Sequence, residues 1–101
     1  IIGVTCHNSV NLVRKAITNG ADYIALGAFF PSKTKKIKFF ADFKILRRVR
    51  KFSKIDIVAI GGINSLNYKK VLLNKSNFLA ISSYIWKNKN LSPEDALKKL
   101  K

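Results

Sequence analysis

Four short apolar runs constrain the fold of this chain more than any other feature: residues 1–4 (IIGV), 23–26 (YIAL), 57–60 (IVAI) and 78–81 (FLAI). None alternates polar with apolar residues, so none has the pattern of a strand wetted on one side. Each predicts a strand covered on both faces, as in a parallel sheet flanked by helices. Between the runs, apolar residues recur at helical spacing: Val10, Val13, Ala16 and Ile17; then Phe43, Leu46, Val49 and Phe52; then Leu66, Val71 and Leu72. The predicted order is β-α-β-α-β-α-β-α. Asn8 or Ser9 can cap the first helix and Gly20 can close it, while Asp42 and Ser65 stand where N-caps belong. Near the end, Ser92, Pro93, Glu94 and Asp95 form a cap, a proline at the first helical position and two first-turn acids ahead of residues 96–100, which predicts a short last helix. Segments 19–27 and 74–82 resemble each other, as repeated α-turn-β units would.

Such units build either an open doubly wound sheet or part of a barrel. Length decides how much of a barrel is present: a complete (β/α)8 barrel takes roughly 250 residues, and this chain has 101. It predicts one domain, residues 1–101, made of four βα units. The sequence contains no methionine, not even at position 1, so it reads as a piece of a longer open reading frame.

Hydrophobic residues at 48% suffice for a core, and the formal charge of +15 does not by itself imply disorder. That charge carries little functional information. With 16 Lys, 12 Ile and 9 Asn, the composition follows what A/T-rich codons supply. A chain this basic attracts phosphate-bearing ligands and nucleic acid non-specifically at low salt. The cations are scattered along every predicted helix, and Phe43 and Phe52 keep core spacing, which argues against a specific nucleic-acid module. No apolar run approaches the roughly 20 residues needed to span a bilayer, and the first residues lack a signal-peptide pattern. Cys6 is the sole cysteine, so an internal disulfide and a cysteine zinc cluster are excluded. The expectation is a soluble, cytoplasmic protein.

In either α/β architecture ligands bind at the carboxyl ends of strands. Those ends carry Thr5, Cys6, His7 and Asn8; residues 27–38; Gly61, Gly62, Ile63 and Asn64; and Ser82 with Ser83. Asp22 and Asp56 precede strands and fall on the opposite face, while Asp42, Glu94 and Asp95 read as helix-start residues. No carboxylates converge, so no metal ligands are assigned within this chain. Gly61 and Gly62 let backbone N–H groups approach an anion, and a helix after Ser83 would aim its positive end at the same point. Taken with Ser82 and Ser83, they read as a phosphate cradle rather than a mere tight turn. The loop over 31–35 (PSKTK) interleaves hydroxyls and ammoniums behind Phe29 and Phe30. It reads either as a flap over an anionic substrate or as a solvated basic loop. Cys6 and His7 are adjacent on a strand end and point apart, so they form no dyad. Thr5 either faces the barrel mouth or makes routine strand-end hydrogen bonds.

Four blocks then carry a resemblance: GVTCHN at 3–8, GADYIALGAFFPSKTK at 20–35, IVAIGGI at 57–63 and LAISS at 79–83. The whole chain resembles the C-terminal half of thiamine-phosphate synthases, strands five to eight of a TIM (β/α)8 barrel. The resemblance implies a transferase that joins hydroxymethylpyrimidine diphosphate to hydroxyethylthiazole phosphate and releases pyrophosphate, with Mg²⁺ bound. By matching position, Ser32 and Thr34 would bond the thiazole phosphate, and Lys35 would contact the pyrophosphate. Gly62 and the backbone of Ser82 and Ser83 would complete the thiazole phosphate site, beside Gly61 of the cradle. Thr5 stands where the family usually has Ser, near the leaving group. The family's upstream half supplies the remaining pyrophosphate-binding residues and the Mg²⁺-binding aspartates. That half is absent here, so this chain is expected to be inactive alone.

Thiazole tautomerases are the nearest enzymatic alternative. They tend to place a catalytic His where Ala28 stands, and they lack the Pro-x-x-Thr-Lys block. A further alternative is a non-catalytic phosphate-binding half-barrel that pairs with another chain, or with a second copy of itself, to cover its open sheet edges.

Overall fold

The structure, a computed structural model, describes residues 1–30, 41–81 and 83–100. Its elements run β1 (Gly3–His7), α1 (Val10–Thr18), β2 (Tyr23–Leu26), α2 (Lys44–Arg50), β3 (Asp56–Ala59), α3 (Tyr68–Leu73), β4 (Phe78–Leu79), α4 (Ser83–Trp86) and α5 (Pro93–Lys98). The four strands form one sheet in the order β1-β2-β3-β4, and every neighbouring pair is parallel. A doubly wound sheet reverses its strand order at a switch point. No reversal occurs here, so the winding is that of four successive units of a barrel.

Periodicity located β2 to the residue, displaced β1 and β3 slightly, and overestimated β4, which spans Phe78–Leu79 only. β1 begins at Gly3 and reaches His7, later than the apolar run, so Thr5 and Cys6 lie inside the strand rather than after it. The reason is Asp22: its carboxylate accepts the Ile2 N–H at 2.6 Å, while the Ile2 carbonyl takes the Asp22 N–H at 2.8 Å. Those bonds hold Ile2 ahead of the ladder. A register shift between Thr5 and His7 interrupts the β1–β2 pairing, which resumes at His7 and Leu26, with His7 at φ 54°. β3 begins one residue early, at Asp56.

Side-chain caps start two of the helices, α1 and α5. Ser9 Oγ accepts the Leu12 N–H at 3.2 Å, and Ser92 Oγ accepts the Asp95 N–H at 3.2 Å ahead of Pro93. At α2 the N-cap is Phe43 rather than Asp42, although Asp42 Oδ1 still accepts the Lys44 N–H at 2.9 Å. At α3 the N-cap is Asn67, not Ser65. Asn64 initiates that turn, its Oδ1 accepting the N–H groups of Leu66 and Asn67 at 2.9 and 3.2 Å.

The core lies between the sheet and the helices. Cys6 of β1, Ile24 and Leu26 of β2 and Ile57 and Ala59 of β3 are fully buried against Val13, Leu46, Val49 and Val71 from the helices. At the amino-terminal rim the Arg50 guanidinium donates to the Ile55 carbonyl at 2.5 Å and to Asn77 Oδ1, which also accepts the Ile57 N–H at 2.9 Å. One side chain thereby ties the end of α2 to the starts of β3 and β4. Burial lowers the Arg50 pKa, and the charge of Asp56 opposes that shift.

The other sheet face departs from the sequence expectation of two covered faces. Register places Gly3, Tyr23 and Asp56 at one level and Thr5, Ala25, Val58 and Phe78 at the next. Of these, Tyr23, Ala25, Asp56, Val58 and Phe78 line an open concavity of about 730 Å³ with Ile60 and Ala80, where Tyr23 is 37% and Phe78 56% exposed. A (β/α)8 barrel fills such a space with layers of side chains from all its strands. The apolar content of the strands therefore anticipates a covering that these residues do not themselves supply. Among the described residues, no helix is long and apolar enough to cross a membrane.

Candidate functional site

Because the four strands are parallel and sequential, their carboxyl ends share one rim. The turn after β3 dominates that rim. Gly61 and Gly62 have φ of +97° and +63°, a region that costs glycine nothing and other residues a good deal. A Cβ on Gly61 would run into the Cα and Cβ of Ala28, so the position also requires the absence of a side chain. Beyond the ladder, β2 continues to pair with this turn: the Phe29 N–H donates to the Ile60 carbonyl and the Phe30 N–H to the Gly61 carbonyl, both at 3.2 Å. Asn67 holds the far side, its Nδ2 donating to the Gly62 carbonyl at 3.0 Å and its Oδ1 accepting the Asn64 N–H at 2.9 Å. None of the hydrogen bonds among the described residues uses the N–H of Gly61, Gly62 or Ile63. The turn is thus held by its carbonyls with its donors left over, an arrangement suited to an oxyanion.

The segment carrying Ser32, Thr34 and Lys35 lies outside the described residues, as does Ser82. The flanks of that segment are held firmly. Phe29 stacks on Phe43 at 5.2 Å between ring centroids, Phe30 meets Phe43 edge-on at 5.7 Å, and the Ala41 N–H donates to the Ala28 carbonyl at 2.6 Å. Asn8 Oδ1 accepts the Asp42 N–H at 3.2 Å, which joins the loop after β1 to the start of α2. The described residues Phe30 and Ala41 are thus tied to Gly61 and to Ala28 beside it.

Thr5 stands on the concave face, exposed and in register with Ala25, two strands from the diglycine turn. Ser83 opens α4 itself instead of preceding it, and α4 runs only four residues. Its aligned peptides are too few for the strong positive end that the sequence reading anticipated. The structure therefore brings Gly61 and Gly62 together with Phe30, sets Thr5 lower on the same face, and starts a short helix at Ser83. The sequence marks Asn8 as a helix-cap and strand-end residue but does not single out Asn67. The available signal was Asn64-x-x-Asn67 directly after the glycines, a spacing at which two amides can bond across one turn.

Other titratable groups serve the scaffold. Burial pushes the Cys6 thiol above its ordinary pKa, so it stays protonated and poorly nucleophilic. Asp22 and Asp56 lie at the opposite rim, and Glu94 and Asp95 occupy the first turn of α5. Among the described residues, no three His, Cys, Asp or Glu side chains come together. Their donor set does not fit a Mg²⁺ ion.

Comparison with known proteins follows the same lines. The family model for thiamine monophosphate synthase matches residues 1–85. A thiamine-phosphate synthase of Pelagibacter ubique is 59% identical over 101 residues, all of this chain and 49% of that protein. One of Rhodospirillum centenum is 42% identical over 86 residues, 85% of this chain and 42% of that protein. The solved structure of thiamine phosphate pyrophosphorylase from Pyrococcus furiosus superposes with a TM-score of 0.80 at 31% identity, covering 99% of this chain and 46% of that one. The chain spans about half the length of these relatives. From its strand order, its rim turn and these matches together, the chain belongs to the thiamine monophosphate synthase family.

Proposed function

We propose that this chain is the thiazole-phosphate-binding half of a thiamine-phosphate synthase, a transferase that becomes competent when four further βα units cover the concave face. The diglycine turn carries the reading, because its carbonyls are bound and its N–H groups are free among the described residues to meet a phosphate monoester. Ser32 and Thr34 are assigned as hydroxyl donors to that phosphate, and the backbone of Ser82 and Ser83 is assigned to it as well. Gly62 supplies the close approach that a Cβ would block.

In the proposed reaction the bond between the pyrimidine methylene carbon and the diphosphate oxygen breaks, its electron pair leaving with pyrophosphate. The thiazole nitrogen then donates its lone pair to the methylene carbon, and thiamine phosphate forms. Lys35 and Thr5 are assigned to the departing pyrophosphate, where a cation and a hydroxyl stabilise developing negative charge. Mg²⁺ would further neutralise that charge, and its ligands are assigned to the covering half. The partners are small phosphorylated pyrimidine and thiazole substrates.

The test joins this chain to the part of the Pelagibacter relative that it does not cover. The chimera should condense the two substrates and release pyrophosphate, while residues 1–101 alone show negligible turnover. A folded chimera without turnover, or robust turnover by the 101-residue chain, would overturn the assignment. Turnover that survives Lys35→Ala and Ser32→Ala unchanged would remove those residues from the site.

A further inference from the structure

We infer that Asn67 is a positioning residue that aims the Ile63 N–H at the phosphate, an inference resting on the phosphate site proposed above. In a trans peptide the C=O and N–H point in opposite directions, so holding one fixes the other. The Gly61–Gly62 peptide is fixed through its carbonyl by the Phe30 N–H, and the Gly62–Ile63 peptide through its carbonyl by Asn67 Nδ2 at 3.0 Å. The next peptide is fixed through the Asn64 N–H, which donates to Asn67 Oδ1 at 2.9 Å. Three consecutive peptide planes are thereby set, and Asn67 sets two of them.

Two observations separate this from ordinary helix capping. Asn67 is the N-cap residue of α3, yet its side chain makes no cap hydrogen bond. Both ends of its amide are turned back onto the glycine turn instead. Gly62, at φ +63°, has no Cβ to restrict its rotation, so without Asn67 the Gly62–Ile63 peptide loses its hold. The Ile63 side chain is buried at 3% exposure, which keeps its backbone at the rim while Asn67 decides where the N–H points. Asn67 therefore acts on the ligand through Ile63 and does not touch it.

The experiment follows the backbone amides of the isotope-labelled 101-residue chain by NMR during titration with inorganic phosphate at constant ionic strength. In the unsubstituted chain the Gly62 and Ile63 amides should shift together. Asn67→Ala should weaken phosphate binding about tenfold, the scale of one hydrogen bond to a charged group, and abolish the Ile63 response. Asn67→Asp keeps an acceptor for the Asn64 N–H and can cap α3, but it cannot donate to the Gly62 carbonyl. It should lose the Ile63 response with the fold intact, which keeps the test decisive if the alanine variant is unstable. Ser92→Ala, which removes the remote cap of α5, should lower the melting temperature without changing phosphate affinity. Retention of the Ile63 response and of affinity within about twofold in both Asn67 variants would overturn the inference alone. Absence of any response in the unsubstituted chain would overturn the phosphate site and this inference with it.

Discussion

The two faces of the sheet are built from the same kinds of residue and meet different fates. On the helix side Ile24, Leu26 and Ile57 are fully buried, whereas on the concave side Tyr23 and Phe78 keep 37% and 56% exposure. The difference teaches that the sequence encodes more burial than these residues provide. Alternate positions along β2 and β3 point to the two sides, and both sets are apolar except at the amino-terminal end, where Asp56 faces the concavity. A sheet evolved for solvent on one face alternates polar with apolar residues. This one carries the pattern of a barrel stave.

Substitutions sharpen that contrast. The largest effect is expected on the buried side: Ile24→Ala or Leu26→Ala should cost about 2–5 kcal/mol, read as a loss of urea midpoint. Phe78→Ala on the concave side should cost less, about 1 kcal/mol in the 101-residue chain, since Phe78 keeps 56% exposure. Equal losses on both faces would break the comparison. Next in size is Gly61→Ala, which places a Cβ against Ala28 at φ +97° and should cost about 1–3 kcal/mol while disturbing the rim. Arg50→Lys keeps the charge but loses the fork between Ile55 and Asn77, and thermal melts should show about 1 kcal/mol of destabilisation.

The smallest effect concerns Cys6. Burial raises its pKa above the ordinary 9.0, so the native thiol holds its proton after the unfolded one has ionised. Its contribution is therefore complete below about pH 9 and is lost as the pH rises through the folded value. Urea midpoints should fall as the pH rises past about 9, and Cys6→Ala should remove the Cys6 share of that fall. A Cys6 share of zero would place the thiol in contact with water.

Much of this architecture is legible in the residues. The four apolar runs mark the strands because continuous hydrophobicity over four residues has few other uses at that spacing. Ser9 and Ser92 mark helix starts because a short hydroxyl side chain reaches the N–H three residues on. Asp42 and Ser65 misled by one and two residues, since Phe43 is held by its stacking on Phe29 and Asn64 outcompetes Ser65 for the turn that leads into α3. Gly61 and Gly62 are conspicuous in the sequence, but the residues that orient them are not. Asn67 and Phe30 act through long-range or turn-specific hydrogen bonds that periodicity does not encode. The sheet edges at β1 and β4 are likewise visible only once strand order is known.

The most direct test of the central claim, that the concave face is the seat of a second half-barrel, is hydrogen exchange at the amides of β1 and β4 with and without the complementary part of the Pelagibacter relative. The account predicts that exchange at Gly3–His7 and Phe78–Leu79 slows strongly when the complement is added, while the already buried β2 and β3 change little. Unchanged exchange at both edge strands, with the complement folded and present in excess, would contradict it.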